Sequence, residues 1–184
     1  MLPTRLRGKT LCIIGLGRIG SRVAKRLIGW ECEIVYHDIV DFPNQYVKET
    51  GAIKVSLDEL LSTSDIVTVH VPLERTTHHM LSVQEFIKMK NNAVLINTSR
   101  GPVVDEKALI DALNNKEIFG AGLDVTEIEP IKMDNPLLSI ENVILTPHFA
   151  TRAYESEINI AKFAVTNAAK VARGDQPDSI VPPV

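Results

Sequence analysis

The feature that most constrains the fold is a glycine-rich turn between an apolar run and an amphipathic segment. Gly15, Gly17 and Gly20 follow the spacing Gly-x-Gly-x-x-Gly, and an apolar strand is predicted directly before them at Thr10–Gly15. A strand that passes through such a turn into a helix is typical of the first β-α unit of a doubly wound sheet. The first glycine permits the tight turn, and the third lets the helix pack closely on the strand.

Short apolar runs continue to alternate with helix-length amphipathic segments along the rest of the chain. This alternation predicts an α/β Rossmann fold, a doubly wound parallel sheet of about seven strands in three layers. Strands are predicted at Thr10–Gly15, Cys32–His37, Ala52–Val55, Asp65–Val69, Ala93–Asn97, Ile118–Leu123 and Asn142–Leu145. Helices are predicted at Arg18–Gly29, from Ser56, at Ser82–Lys90, Asp105–Asn114 and Arg152–Ala172, with Ser-x-x-Glu capping boxes at both serines. We expect one domain over residues 1–172 and an extended tail over residues 173–184.

Composition and charge exclude several classes of protein. Of the 184 residues, 45% are hydrophobic and 23% are charged, which is typical of a globular domain. The net charge of −3 is spread along the chain without a basic stripe, so we expect no nucleic-acid partner. The apolar runs are too short for a membrane span. Cys12 and Cys32 have no metal-binding spacing, and we expect two reduced, buried thiols, no metal and a cytoplasmic location.

The glycine turn also predicts a dinucleotide site. Gly17 would let the backbone approach a pyrophosphate, which favours the N-terminus of a helix. Asp38 ends the second predicted strand, where an acidic side chain can accept hydrogen bonds from the adenosine ribose. Ile39 and Val40 follow, with no arginine for a 2′-phosphate, so the pattern favours NAD over NADP. The ordinary alternative is a structural turn followed by a surface aspartate.

Three ionisable residues follow the last three predicted strands. Arg100 comes after the fifth, Glu129 after the sixth and His148 after the seventh. Because ligands bind at the carboxyl ends of parallel strands, these side chains can converge beside a bound dinucleotide. Arg100 could clamp a carboxylate, His148 could exchange a proton, and Glu129 could set the tautomer of His148. Taken singly, each residue also has an ordinary alternative. Arg100 could be an exposed cation, Glu129 one acid among several, and His148 a histidine in a loop.

Longer segments resemble the D-isomer-specific 2-hydroxyacid dehydrogenases. They extend over essentially the whole chain in that family's order: Leu6-Arg7-Gly8-Lys9-Thr10 through Gly20, Val71-Pro72-Leu73, Asn97-Thr98-Ser99-Arg100-Gly101, Gly122-Leu123-Asp124-Val125 with Glu129-Pro130, and Thr146-Pro147-His148. The resemblance implies NAD as cofactor and hydride transfer between nicotinamide C4 and C2 of a 2-hydroxy or 2-oxo acid.

The resemblance also implies roles for individual residues. Arg100 would bind the substrate carboxylate, and His148 would be the acid/base with Glu129 as its partner. Asp124 would lie near the nicotinamide carboxamide. Further positions that would line the dinucleotide are Arg18, Ile19, Val71, Pro72, Thr76, Thr98, Ser99 and Ala150.

In that family the cofactor domain is inserted in a second, substrate-binding domain. We expect this second domain to be absent here or supplied separately, and we expect a homodimer. The main hypothesis is the NAD-dependent oxidoreductase domain, and the alternative is an NAD(H)-binding module like the family's corepressor members, without turnover of its own. A short-chain dehydrogenase would need Tyr-x-x-x-Lys, but Tyr36, Tyr46 and Tyr154 are followed at that distance by Val40, Thr50 and Ile158.

Overall fold

A computed structural model describes residues 5–41 and 44–180. Within these residues, seven parallel strands form one sheet in the order β3-β2-β1-β4-β5-β6-β7. The strands are β1 Thr10–Ile14, β2 Glu33–His37, β3 Ile53–Lys54, β4 Ile66–Val69, β5 Val94–Asn97, β6 Gly120–Leu123 and β7 Val143–Leu145. From β1 the following strands β2 and β3 lie on one side, and from β4 the strands β5, β6 and β7 lie on the other side. This order confirms the predicted doubly wound sheet and places a topological switch point between β1 and β4.

The chain divides into two compact units, residues 1–148 and residues 149–184. The first contains the sheet and the helices α1 Gly20–Arg26, α2 Asn44–Thr50, α3 Leu57–Thr63, α4 Val83–Lys88 and α5 Glu106–Asn114, together with 3-10 turns at Gly101–Val103 and Pro136–Ser139. The second contains α6 Tyr154–Ala172, and residues 175–180 after it form neither helix nor strand. None of the helices in the described part of the chain combines the length and apolar character needed to cross a membrane.

Two buried clusters cover the two faces of the sheet in the first unit. Alternate residues of a strand point to opposite faces, so Ile13 packs with Ala24 of α1, whereas Cys12 and Ile14 pack with side chains of α3, α4 and α5. Phe86 of α4 is fully buried in the larger cluster. Helices therefore lie on both faces, which confirms the three-layer prediction for this unit.

Both bonds of the predicted capping box are present at Ser82, and one of the two is present at Ser56. The Glu59 N–H donates to Ser56 Oγ at 3.2 Å, and the Ser82 N–H donates to Glu85 Oε2 at 3.1 Å. The Ala108 N–H donates to Asp105 Oδ1 at 3.1 Å, so Asp105 caps α5. Each cap satisfies a backbone group that the first turn of a helix leaves unpaired.

The structure differs from the predictions at several points. Helix α1 is shorter than the predicted Arg18–Gly29, because Arg18 and Ile19 still belong to the turn. Helix α2 was not predicted, because its polar sequence carries no apolar stripe. The prediction of two buried thiols was wrong for Cys32, which precedes β2 and is half-buried, whereas Cys12 is buried within β1.

Candidate active site

Two glycines of the turn differ in their surroundings: Gly20 is closely packed against the protein, and Gly17 has free space beside it. A Cβ at Gly20 would lie 2.1 Å from the Gly15 carbonyl oxygen, and Gly15 itself has a φ of +90° beside Val71. A Cβ at Gly17 would meet nothing within 4 Å. No described neighbour therefore requires glycine at position 17. Close approach by a bound pyrophosphate is a reason for glycine there, so the turn fits a dinucleotide.

Asp38 lies directly after β2 and contacts the same turn. Its Oδ2 accepts the Leu16 N–H at 2.8 Å, and its Oδ1 accepts the Val40 N–H at 2.9 Å. An ionised carboxylate offers about four acceptor positions. Asp38 can therefore hold the turn in place and still accept hydrogen bonds from ribose hydroxyls.

Glu129 and His148 form a direct pair at the carboxyl edge of the sheet. His148 Nδ1 lies 2.9 Å from Glu129 Oε2, and Glu129 Oε1 accepts the Thr126 N–H at 3.2 Å. His148 has a φ of 56°, and its N–H donates to the Asp124 carbonyl at 2.9 Å. A non-glycine residue in this left-handed region is held there by its surroundings. Because Nδ1 contacts Glu129, Nε2 is the ring nitrogen left to face a ligand.

Asp124 ties the ends of three neighbouring strands together. Its N–H donates to the Asn97 carbonyl at 3.0 Å, and its buried carboxylate accepts the Thr146 hydroxyl. A cavity of about 500 Å³ lies beside it. The residues that line this cavity include Asp124, Thr126, Glu129, Ile131, Thr146 and His148. A larger hollow of about 820 Å³ lies over β5, β6 and β7 and is lined by none of the candidate residues, so we assign the site to the smaller cavity.

Arg100 lies on the adjacent loop, after β5. Asn97 shapes this loop: its Nδ2 donates to the Arg100 carbonyl at 3.0 Å, and its Oδ1 accepts the Ser99 N–H at 3.0 Å. The Arg100 guanidinium donates to the Ser99 carbonyl at 2.6 Å. Gly101 packs against the loop that carries Glu129, since a Cβ on it would lie 1.9 Å from the Thr126 carbonyl oxygen. The structure thus joins Glu129 to His148 and places Arg100 on a neighbouring loop, with no hydrogen bond or ion pair from Arg100 to either residue within the described part of the chain.

The other predicted cofactor positions follow β1, β4 and β5. Arg18 and exposed Ile19 lead into α1, and Val71, Pro72 and Thr76 follow β4. Thr98 and Ser99 follow β5, whereas Ala150 belongs to the second unit. The predicted residues of the first unit therefore lie at the carboxyl edge, as parallel strands require.

His70 is a residue of this edge that the sequence analysis missed. It follows β4, its Nε2 lies 3.0 Å from Thr68 Oγ1, and its N–H donates to the Ile14 carbonyl at 2.8 Å. Burial lowers the pKa of His70 to about 4, because the desolvated ring disfavours the charged form. The available signal was its position, directly between a strand and the Val71-Pro72 segment.

The buried His70 should make the free energy of unfolding sensitive to acid. The unfolded chain binds a proton at His70 near the ordinary pKa of 6.5, whereas the folded chain does so near pH 4. Its stabilising contribution is present above pH 6.5 and is lost as the pH falls towards 4. Between neutral pH and pH 5, we expect wild type to lose about 2 kcal/mol more unfolding free energy than His70→Gln. Urea denaturation of both proteins measures this difference, and equal losses would contradict it.

Comparison with known proteins decides the family. Residues 1–150 match the family described as D-isomer specific 2-hydroxyacid dehydrogenase, NAD binding domain. The chain belongs to this family. It is similar to a glyoxylate reductase of Korarchaeum cryptofilum, with 45% identity over 98% of this chain and 54% of the relative.

Solved structures support the same family assignment. The domain resembles the TT0316 protein of Thermus thermophilus, with a TM-score of 0.91, 38% identity and coverage of 98% of this chain and 56% of that one. It also resembles a D-lactate dehydrogenase with NAD+ from Lactobacillus jensenii, with a TM-score of 0.89, 31% identity and coverage of 99% and 58%. The NAD-binding domain therefore spans somewhat more than half the length of these relatives.

Proposed function

We propose that this NAD-binding domain serves an oxidoreductase that interconverts a 2-hydroxy acid and a 2-oxo acid. The observation that carries the proposal is the Glu129–His148 pair, 2.9 Å apart, at the same sheet edge as the glycine turn. A cofactor site and a proton-exchanging imidazole on one edge are the two parts that hydride transfer to a carbonyl requires.

Each part of the edge has a distinct task in this proposal. The N–H groups of the turn at Gly15, Gly17 and Gly20 bind the pyrophosphate, and Asp38 accepts hydrogen bonds from the ribose. The rest of the cofactor lies against residues of the first unit that follow β1, β4, β5 and β6: Arg18, Ile19, Val71, Pro72, Thr76, Thr98, Ser99 and Asp124. Bound nicotinamide supplies or accepts the hydride.

Arg100, Glu129 and His148 act on the substrate. Arg100 rotates from the Ser99 carbonyl to bind the substrate carboxylate in a bidentate pair. His148 Nε2 donates a proton to the carbonyl oxygen as the carbon is reduced, and it accepts that proton in the reverse direction. Glu129 positions the ring through its contact with Nδ1.

Two titrations test this function. NADH binding is measured first by the change in nicotinamide fluorescence, and NADH oxidation is then measured with glyoxylate, hydroxypyruvate and pyruvate. Glyoxylate comes first because relatives include glyoxylate reductases. Binding with turnover supports the complete proposal. Binding without turnover keeps the assignment as the NAD-binding domain of a dehydrogenase and contradicts turnover by this chain alone. NADH-dependent dimerisation or partner capture without reductase activity would favour the alternative, an NAD(H)-binding module. Absence of binding contradicts both.

His148→Gln separates proton transfer from cofactor binding. We expect any rate that the domain supports to fall at least about 100-fold, the usual contribution of a general acid or base. NADH affinity should stay within about twofold, because the pyrophosphate and the ribose bind elsewhere on the edge. Glu129→Gln is the matched variant and should lower the rate less. A loss of NADH affinity equal to the loss of rate would contradict the role of His148.

We also propose a homodimer and a cytoplasmic location. The apolar face over β5, β6 and β7 includes Val94, Ile96 and Ile144, and Ile144 is 72% exposed. Pairing of such surfaces between copies is a common route to dimers. The free thiols of Cys12 and Cys32 fit a reducing compartment. Sedimentation of the purified chain and fractionation of cells test these two points.

A further inference from the structure

Three potential metal ligands converge beside the candidate active site without belonging to it. His79 comes from the loop after β4, Asp105 caps α5, and Glu127 follows β6. One ligating atom from each lies within 4.8 Å of the other two. We propose that His79, Asp105 and Glu127 bind a divalent transition metal of the Zn²⁺ class.

The types of ligand favour that class of metal. One imidazole nitrogen and two carboxylate oxygens suit Zn²⁺ or Co²⁺, whereas Ca²⁺ and Mg²⁺ prefer all-oxygen sites. His79 Nε2 and Glu127 Oε1 are 2.8 Å apart, and their side chains are 37% and 31% exposed. If these two atoms moved slightly apart, a metal ion could bind between them. Solvent can supply a fourth ligand.

Neighbouring groups hold the two carboxylates in place. Glu127 Oε1 accepts the Glu106 N–H at 3.1 Å, and Glu106 Oε2 accepts the Glu127 N–H at 3.0 Å. Asp105 Oδ2 accepts the Ser82 hydroxyl at 2.8 Å. Partners of this kind orient metal ligands in known sites. They donate hydrogen bonds without bringing positive charge.

The histidine is also positioned by the fold. His79 has a φ of 51°, its N–H donates to the Pro102 carbonyl at 2.8 Å, and its ring stacks on His78 with centroids 4.0 Å apart. The Asp105 and Glu127 carboxylates thus lie close to one imidazole, and their negative charge favours a cation.

Calorimetric titration of the full chain with ZnCl₂, in a buffer that does not chelate metals, tests the site. We expect saturable binding of one equivalent that His79→Gln weakens at least about tenfold. His78→Gln is the matched control and should keep the affinity, because His78 only stacks on the ligand. Asp105→Asn retains a capping side chain and therefore folds, and it should also bind more weakly.

Thermal unfolding and NADH titration complete the test. Saturating Zn²⁺ should raise the melting temperature of wild type by about 5 °C, and that of His79→Gln by much less. Absence of one-equivalent binding would overturn the proposal and leave His79–Glu127 as an ion pair without metal. Equal weakening by His78→Gln and His79→Gln would also overturn it. NADH affinity is measured in each variant, so failure of the metal site and failure of the cofactor site are distinguishable.

Discussion

Gly20→Ala is expected to destabilise the first unit by about 3 kcal/mol or more and to abolish measurable NADH binding, whereas Gly17→Ala should fold normally. A Cβ at Gly20 would lie 2.1 Å from the Gly15 carbonyl oxygen and 2.8 Å from Ile13 Cγ2. Both neighbours belong to the strand and turn that create the site, so relief requires movement of the backbone itself. Overpacking of this kind costs several kcal/mol.

Comparison of Gly17→Ala with Gly20→Ala separates the effect on folding from the effect on NADH binding. Its Cβ would meet nothing within 4 Å, so unfolding free energy should be nearly unchanged. NADH affinity should nevertheless fall at least about tenfold, because the new methyl group occupies the approach of the pyrophosphate. Urea denaturation and NADH fluorescence measure the two quantities separately. Unchanged NADH affinity in a folded Gly17→Ala protein would contradict the pyrophosphate assignment.

Gly101→Ala is expected to separate the loop of Arg100 from the loop of Glu129. Its Cβ would lie 1.9 Å from the Thr126 carbonyl oxygen and 2.6 Å from the Glu127 nitrogen, so one loop must move. We expect a loss of about 3 kcal/mol in unfolding free energy. The Thr126 N–H donates to Glu129, so the Glu129–His148 contact should weaken as well. Imidazole NMR signals of His148 report that contact directly.

Gly122→Ala provides the control for this variant. Gly122 lies on β6, and the methyl group of an alanine there would meet nothing within 4 Å. Alanine should therefore be neutral or should stabilise by up to about 1 kcal/mol. Similar unfolding free energies for Gly101→Ala and Gly122→Ala would show that the close approach of the two loops is unimportant.

The sheet could be predicted from the sequence because each strand carries its own local signal. Apolar runs such as Leu11–Ile14 require burial on both faces, and the glycine turn identifies which strand begins the doubly wound order. Helix α2 escaped prediction because Asn44–Thr50 lacks an apolar stripe. The ends of α1 could not be read from periodicity, since the turn keeps Arg18 and Ile19 out of the helix.

The candidate site was predictable only in part. Strand ends alone place Glu129 and His148 on one edge, and the structure adds their 2.9 Å contact. The hydrogen bond from the Leu16 N–H to the Asp38 carboxylate has no sequence signal. The grouping of His79, Asp105 and Glu127 has none either, because three loops distant in sequence must fold before these side chains meet.

We expect the dinucleotide to lie along the carboxyl edge, from the turn at Gly15 to the imidazole of His148. Amide NMR titrations with NADH and with ADP-ribose, which lacks nicotinamide, test it most directly. We expect both ligands to shift the amides of Gly15–Gly20 and Asp38, and NADH alone to shift those of Asp124, Thr126 and His148. Shifts at Asp124 and His148 that are equal for the two ligands, or absent with NADH, would contradict it.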